Sequence, residues 1–107
     1  IPSFIEIIGN RAFDHCSNLR NIEFAANSKL RKIDKFAFNH VIIQSISLPS
    51  SCTQICERAF FGCNYLNTIK IPEDSKLETI ERGAFSFTKI ESFTITSKVT
   101  DLKEGWC

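Results

Sequence analysis

Apolar residues recur along this chain in one order: an apolar position, two others, a second apolar position, one other, and a third. Four segments fill it, Leu19-x-x-Ile22-x-Phe24, Ile43-x-x-Ile46-x-Leu48, Leu66-x-x-Ile69-x-Ile71 and Ile90-x-x-Phe93-x-Ile95. The last two positions of each alternate with period two, which predicts a short half-buried strand. Further apolar anchors follow at Leu30 and Ile33, Ile55, Leu77 and Ile80, and Leu102. An Ala-Phe pair then closes the pattern at Ala12-Phe13, Ala37-Phe38, Ala59-Phe60 and Ala84-Phe85, with steps of 37 − 12 = 25, 59 − 37 = 22 and 84 − 59 = 25 residues. A Ser stands nine residues before each Ala, at Ser3, Ser28, Ser50 and Ser75, and Ser97 continues the series.

A unit of 22 to 25 residues cannot bury an apolar face alone, so its anchors must be covered by the units before and after. The pattern therefore predicts an α/β repeat solenoid, one array over residues 1–107 with about four and a half units starting near 3, 28, 50, 75 and 97. Its strands would form a parallel sheet with about 4.8 Å between neighbours. A short helical or 3-10 turn would carry each Ala-Phe pair inward on the return arm, stacking Phe13, Phe38, Phe60 and Phe85 as an aromatic spine. The alternation of length falls in the loops, where two extra residues cost little entropy. A start and finish in mid-pattern, and the absence of any Met, read as those of a piece of a longer chain. Uncapped terminal faces carrying Ile5, Ile8 and Leu102 would favour end-to-end self-association.

Charge narrows the partners. Thirteen basic and twelve acidic residues leave a formal charge of +1, too weak a field to argue for nucleic acid, an anionic membrane or an acidic substrate. The longest apolar runs, such as Val41 to Ile43, are far too short to span a bilayer, so no direct membrane insertion is expected in this segment.

The sequences Ile69-Lys70-Ile71-Pro72, Ile55-Cys56-Glu57-Arg58-Ala59-Phe60-Phe61-Gly62-Cys63-Asn64-Tyr65-Leu66 and Ile8-Gly9-Asn10-Arg11-Ala12-Phe13-Asp14-His15-Cys16-Ser17-Asn18-Leu19 resemble the BspA-type leucine-rich repeat family. The units beginning Ser28-Lys29-Leu30 and Ser75-Lys76-Leu77 are similar to the paired form expanded in parasitic protists. The resemblance implies a leucine-rich repeat stack in a cell-surface or secreted protein that adheres to a protein or glycan on host cell, matrix or microbe. It implies no cofactor and no catalytic signature. Trp106-Cys107 stands where an Ala-Phe pair is due, so the array ends or changes character there.

Single residues add less. Cys16 and Cys63 share a place three residues past a spine Phe, where a thiol packs as a small apolar group. Cys52 and Cys56 lack a second pair at zinc-site spacing, so metal binding is not expected. His15 and His40 each follow a spine Phe by two residues and would be neighbours on the return arm, as loop histidines rather than an acid/base cluster. No Ser/His/Asp arrangement, phosphate loop or paired carboxylates appears, and enzyme activity is not expected. The outward strand positions, Asn21, Glu23, Ser45, Ser47, Thr68, Lys70, Ser92 and Thr94, fall on one face and form the candidate docking surface, although ordinary solubility accounts for the same residue types. Two functions follow: an extracellular binding module of an adhesive surface protein, or a cytoplasmic structural and protein-interaction scaffold.

Overall fold

A computed structural model gives the fold and describes residues 1–90, 101, 102 and 105. Seven strands occur in chain order: β1 (Ile7–Ile8), β2 (Lys32–Ile33), β3 (Ser45–Ser47), β4 (Gln54–Ile55), β5 (Thr68–Lys70), β6 (Thr79–Ile80) and β7 (Asp101–Leu102). They make two parallel sheets, one of five strands in the order β1-β2-β4-β6-β7 and one pairing β3 with β5. The register of the first runs Ile8↔Ile33, Ile33↔Ile55 and Ile55↔Ile80. Each unit of the repeat is one coil, and neighbouring coils are joined strand to strand through the larger sheet.

The larger sheet corrects the sequence reading, which placed the strands only on the segments 19–24, 43–48, 66–71 and 90–95. Two of those segments do form strands, β3 and β5, whereas residues 21–24 form none. Phe93 and Ile95 lie outside the described residues. The longest sheet is built instead from the positions read as mere anchors. A coil this short turns its corners every few residues, so a strand holds only two or three residues and the alternation is too brief to stand out in sequence. It is present nonetheless: Ile33, Ile55 and Ile80 are fully buried while Lys32, Gln54 and Thr79 beside them are partly exposed, as opposite faces of a pleat require.

The return arm holds turns rather than the expected helical or 3-10 segments; no helix occurs among the described residues. Two left-handed residues per turn prevent one. The position before each Ala has positive φ (Arg11 59°, Phe36 56°, Arg58 55°, Gly83 67°), as does the position two after each Phe (His15 56°, His40 57°, Gly62 71°, Phe87 60°). Left-handed backbone costs a non-glycine residue about 1–2 kcal/mol, which the resulting hydrogen bonds offset. Alternate amides turn inward on their own coil, as Asp14 N to Arg11 O (3.1 Å) and Cys16 N to Phe13 O (3.1 Å) do. The others reach the next coil: Arg11 N to Lys35 O (3.0 Å), Phe13 N to Ala37 O (2.8 Å) and His15 N to Asn39 O (2.8 Å). The same three bonds recur from Phe36, Phe38 and His40, and again from Arg58, Phe60 and Gly62. A continuous helix would have kept these donors within its own coil.

Between sheets and turns lies one core. The Phe spine forms as expected, with ring centroids 5.2 Å apart for Phe13–Phe38, 5.2 Å for Phe38–Phe60 and 5.3 Å for Phe60–Phe85, the planes within 11° of parallel. Beside it Ala37, Ala59 and Ala84 are fully buried, small enough for the turn backbones to approach one another. The recurring Ser is also explained where it opens the 22-residue units. Ser28 Oγ accepts from Leu30 N and Ser75 Oγ from Leu77 N, both at 3.1 Å, which fixes the bend that aims each Leu inward.

Candidate functional site

The smaller sheet positions the predicted docking face. Pairing Ser45↔Thr68, Ile46↔Ile69 and Ser47↔Lys70 sends Ile46 and Ile69 into the core and leaves Ser45, Ser47, Thr68 and Lys70 exposed side by side. Asn21 and Glu23 of the first coil are exposed as well, and Asn21 Nδ2 donates to Glu23 Oε1 at 3.1 Å. Six of the eight predicted residues thus share one polar surface with one acid and one base; Ser92 and Thr94 lie outside the described residues. Their side chains contribute little to the core, so the face is free to vary.

The face is not a continuous ladder. Gln44 O accepts from Asn67 N (2.9 Å) and Leu48 N donates to Lys70 O (2.9 Å), so the even-numbered residues of this strand turn their backbone groups toward β5. The N–H and C=O of Ser45 and Ser47 therefore point the other way, toward residues 21–24. Among the described residues no backbone hydrogen bond crosses from 21–24 to 45–47. A cleft of about 330 Å³ lies there, lined by Asn21, Ile22, Glu23, Phe24, Ser45, Ile46 and Ser47. The same two coils are joined on their other two sides, through β1–β2 and through the turn bonds from Arg11, Phe13 and His15. The opening is thus a wedge confined to the predicted face. Period-two alternation identified its polar rim but carries no information about strand pairing, so Ile22, Phe24 and Ile46 were missed as lining residues.

The turn side gathers aromatic and cationic groups. His15 and His40 are stacked neighbours, 4.9 Å apart and 19° from parallel, as their common position in the repeat predicts. The column continues through Phe61, edge-on to His40 at 5.9 Å, and Phe87, edge-on to Phe61 at 5.3 Å. Gly62 stands in the histidine position of its coil, and a Cβ there would run into the His40 ring. Arg11 lies over the Phe36 ring at 4.3 Å, with Arg58 5.8 Å from the same ring. Asp14 accepts from Asn39 Nδ2 (2.9 Å) and Arg11 (2.8 Å). Desolvation works to raise its carboxyl, and these bonds together with the charges of His15 and Arg11 hold it below the ordinary value.

The thiols read as packing groups. Cys16, Cys52, Cys56 and Cys63 are all unpaired, the last three buried and Cys16 half-buried in the first coil. Desolvation raises Cys52 and Cys63 to about 11, and desolvation together with the Glu81 carboxylate raises Cys56 to about 12. Such thiols are poor nucleophiles at neutral pH. No group of three or more His, Cys, Asp or Glu side chains that could hold a metal ion occurs among the described residues. No helix among them is long and apolar enough to cross a membrane.

Parallel strands repeated coil by coil around a stacked Phe spine define a leucine-rich repeat solenoid. Residues 1–106 match the BspA type leucine rich repeat region in six copies, and the chain belongs to that family. The pneumococcal vaccine antigen PcpA, in its crystal structure, is similar over 96% of this chain with 34% sequence identity and a TM-score of 0.91. A leucine-rich repeat protein from Bacteroides ovatus is similar over 96% of the chain at 20% identity and a TM-score of 0.63, a likeness of fold alone. The chain spans 25% of the length of the first and 38% of the second. No curated protein sequence matches it.

Proposed function

We propose that the chain is a non-catalytic macromolecule-binding module of a cell-surface adhesion protein, docking a protein or glycan ligand of a host cell, matrix or microbe on the face of Asn21, Glu23, Ser45, Ser47, Thr68 and Lys70, with Ser92 and Thr94 extending the same sequence pattern. The observation that carries this reading is the juxtaposition of those exposed polar side chains on a framework held by other parts of the coil. A resemblance to a pneumococcal vaccine antigen supports a surface or secreted location. The test changes Glu23, Thr68 and Lys70 to Ala together in the parent protein and measures binding to host cells and matrix. Tenfold or greater weakening at an unchanged denaturation midpoint is the expected outcome. Unchanged binding, with loss on changing His15, His40 and Phe87, would move the site to the turns.

One observation favours a second reading, a cytoplasmic interaction scaffold: all four described cysteines are free thiols, the state that a reducing compartment maintains. Surface labelling of intact cells separates the two, since a scaffold stays unlabelled until the cells are lysed.

A further inference from the structure

The wedge between the first two coils exposes a row of backbone groups, and this deepens the reading of the polar face as a docking surface, on which it rests. We propose that the open edge of β3 takes an extended, neutral or basic polypeptide segment as an added strand, held by main-chain hydrogen bonds to Ser45 and Ser47. Four backbone groups, the N–H and C=O of each serine, point to the cleft side and meet no backbone partner on 21–24. Residues i and i+2 of a strand lie about 6.6–6.8 Å apart, the spacing at which alternate residues of another extended chain present matching groups. Such an edge is a template for strand addition, in which the main chain supplies affinity and the flanking side chains supply selectivity.

The surroundings select the occupant. Between these two coils the other sides are closed: the larger sheet pairs β1 with β2, and the turns bond coil to coil. The edge is also not shielded in the ways usual for exposed strands, because neither Ser45 nor Ser47 is a charged residue, proline or bulge. The one charged side chain lining the cleft is the carboxylate of Glu23, with Lys70 beside Ser47 on the β5 side of the strand, away from the cleft, so next to Glu23 a basic residue on the incoming segment is favoured and an acidic one repelled. Half-buried Phe24, with Ile22 and Ile46 at the floor, offers an apolar contact for one inward side chain of that segment. A sugar chain lacks the evenly spaced N–H and C=O pairs that this row matches.

The test begins on the unliganded protein with residue-resolved amide exchange. Ser45 and Ser47 amides should exchange at least tenfold faster than that of Ile46; equal protection would show the edge already paired and overturn the proposal. Linear heptapeptides selected on the immobilised protein from a random display library then serve as the probe. The expected peptides are neutral or basic, shift the Ser45 and Ser47 amide resonances, and lose at least tenfold in affinity when N-methylated at alternate residues in one register but not in the other. N-methylation leaves the protein untouched, so misfolding cannot mimic the result. Selection of no peptide, peptides that shift only turn-side resonances, or binding indifferent to N-methylation would each overturn strand addition. Peptides or glycans lost on changing Glu23, Thr68 and Lys70 but indifferent to backbone methylation would leave the docking face standing without the edge.

Discussion

Replacing Phe60 by Ala tests whether the aromatic spine holds the coils together. The ring is fully buried and stacks on two others, Phe38 at 5.2 Å and Phe85 at 5.3 Å. Truncating a buried Phe commonly costs about 3–5 kcal/mol, and losing two ring contacts at once places Phe60 toward the upper end, about 4–5 kcal/mol. Phe13 provides the internal comparison because it is half-buried and stacks only on Phe38; its truncation should cost about half as much, roughly 2 kcal/mol. Lys70→Ala, on the exposed face, should stay within about 0.5 kcal/mol of the parent. Urea unfolding followed by far-ultraviolet circular dichroism reads all three. With m of about 1–3 kcal/mol/M, a loss of about 4 kcal/mol moves the midpoint by roughly 1.3–4 M. Equal, small shifts for Phe60→Ala and Lys70→Ala would refute the spine as a main source of stability. A Phe60 effect no larger than that of Phe13 would refute the dependence on stacking from both sides.

Gly62→Ala should lower stability by about 1–2 kcal/mol, because the backbone there has φ of +71° and the new Cβ would meet the His40 ring; in a His40→Ala background, part of that loss should disappear. The buried thiols predict instability in base. Desolvation keeps Cys52, Cys56 and Cys63 protonated to about 11, 12 and 11, whereas the unfolded chain releases those protons near the ordinary value of 9.0. Above that value the unfolded state binds fewer protons, so stability is full below it and falls as pH rises toward about 11, by about 1.4 kcal/mol per pH unit per thiol. Urea midpoints measured from pH 8 to about 10.5 should show this slope, and Cys63→Ala should make it visibly shallower. A thiol reagent at neutral pH should modify half-buried Cys16 well before Cys63, whose Sγ donates to Phe38 O within the core; simultaneous labelling would contradict that packing.

The repeat was legible because it places the same residue type at the same point of each coil. Ala-Phe spacing sufficed to stack Phe13, Phe38, Phe60 and Phe85, and the shared offset of His15 and His40 sufficed to bring their rings together. Legibility failed where the decisive groups are backbone. Arg11, His15, Phe36, His40, Arg58 and Phe87 adopt positive φ, yet as side chains they carry none of the glycine signal that marks such positions. Gly62 and Gly83 hinted at it, one for each of the two left-handed places in the turn, and Gly105, also at positive φ, precedes Trp106 as Gly83 precedes Ala84. The expected helical turn accordingly became a set of bonds between coils. At the docking face, alternation showed which side chains point outward but not whether residues 21–24 pair with β3, since identical alternation is compatible with an open or a closed edge.

The division of labour among the three sides explains why the ligand escapes the repeat pattern. The turn bonds and the five-stranded sheet join the described coils, and the Phe spine fills the space between them, so substitutions at Asn21, Glu23, Ser45, Ser47, Thr68 or Lys70 disturb neither. Residues that do not hold the fold are free to differ from coil to coil, and they do: the two outward places read Asn and Glu, Ser and Ser, Thr and Lys in successive coils. A repeat whose core positions recur and whose face positions diverge can keep one architecture while changing what it binds. On the strand-addition proposal, the open edge beside β3 adds a source of affinity that those side chains do not supply, because a row of main-chain donors and acceptors would pair with any extended segment whose own side chains tolerate Glu23. Affinity from the backbone and discrimination from the divergent face would then be separable, and comparing N-methylated peptides with face variants measures each on its own.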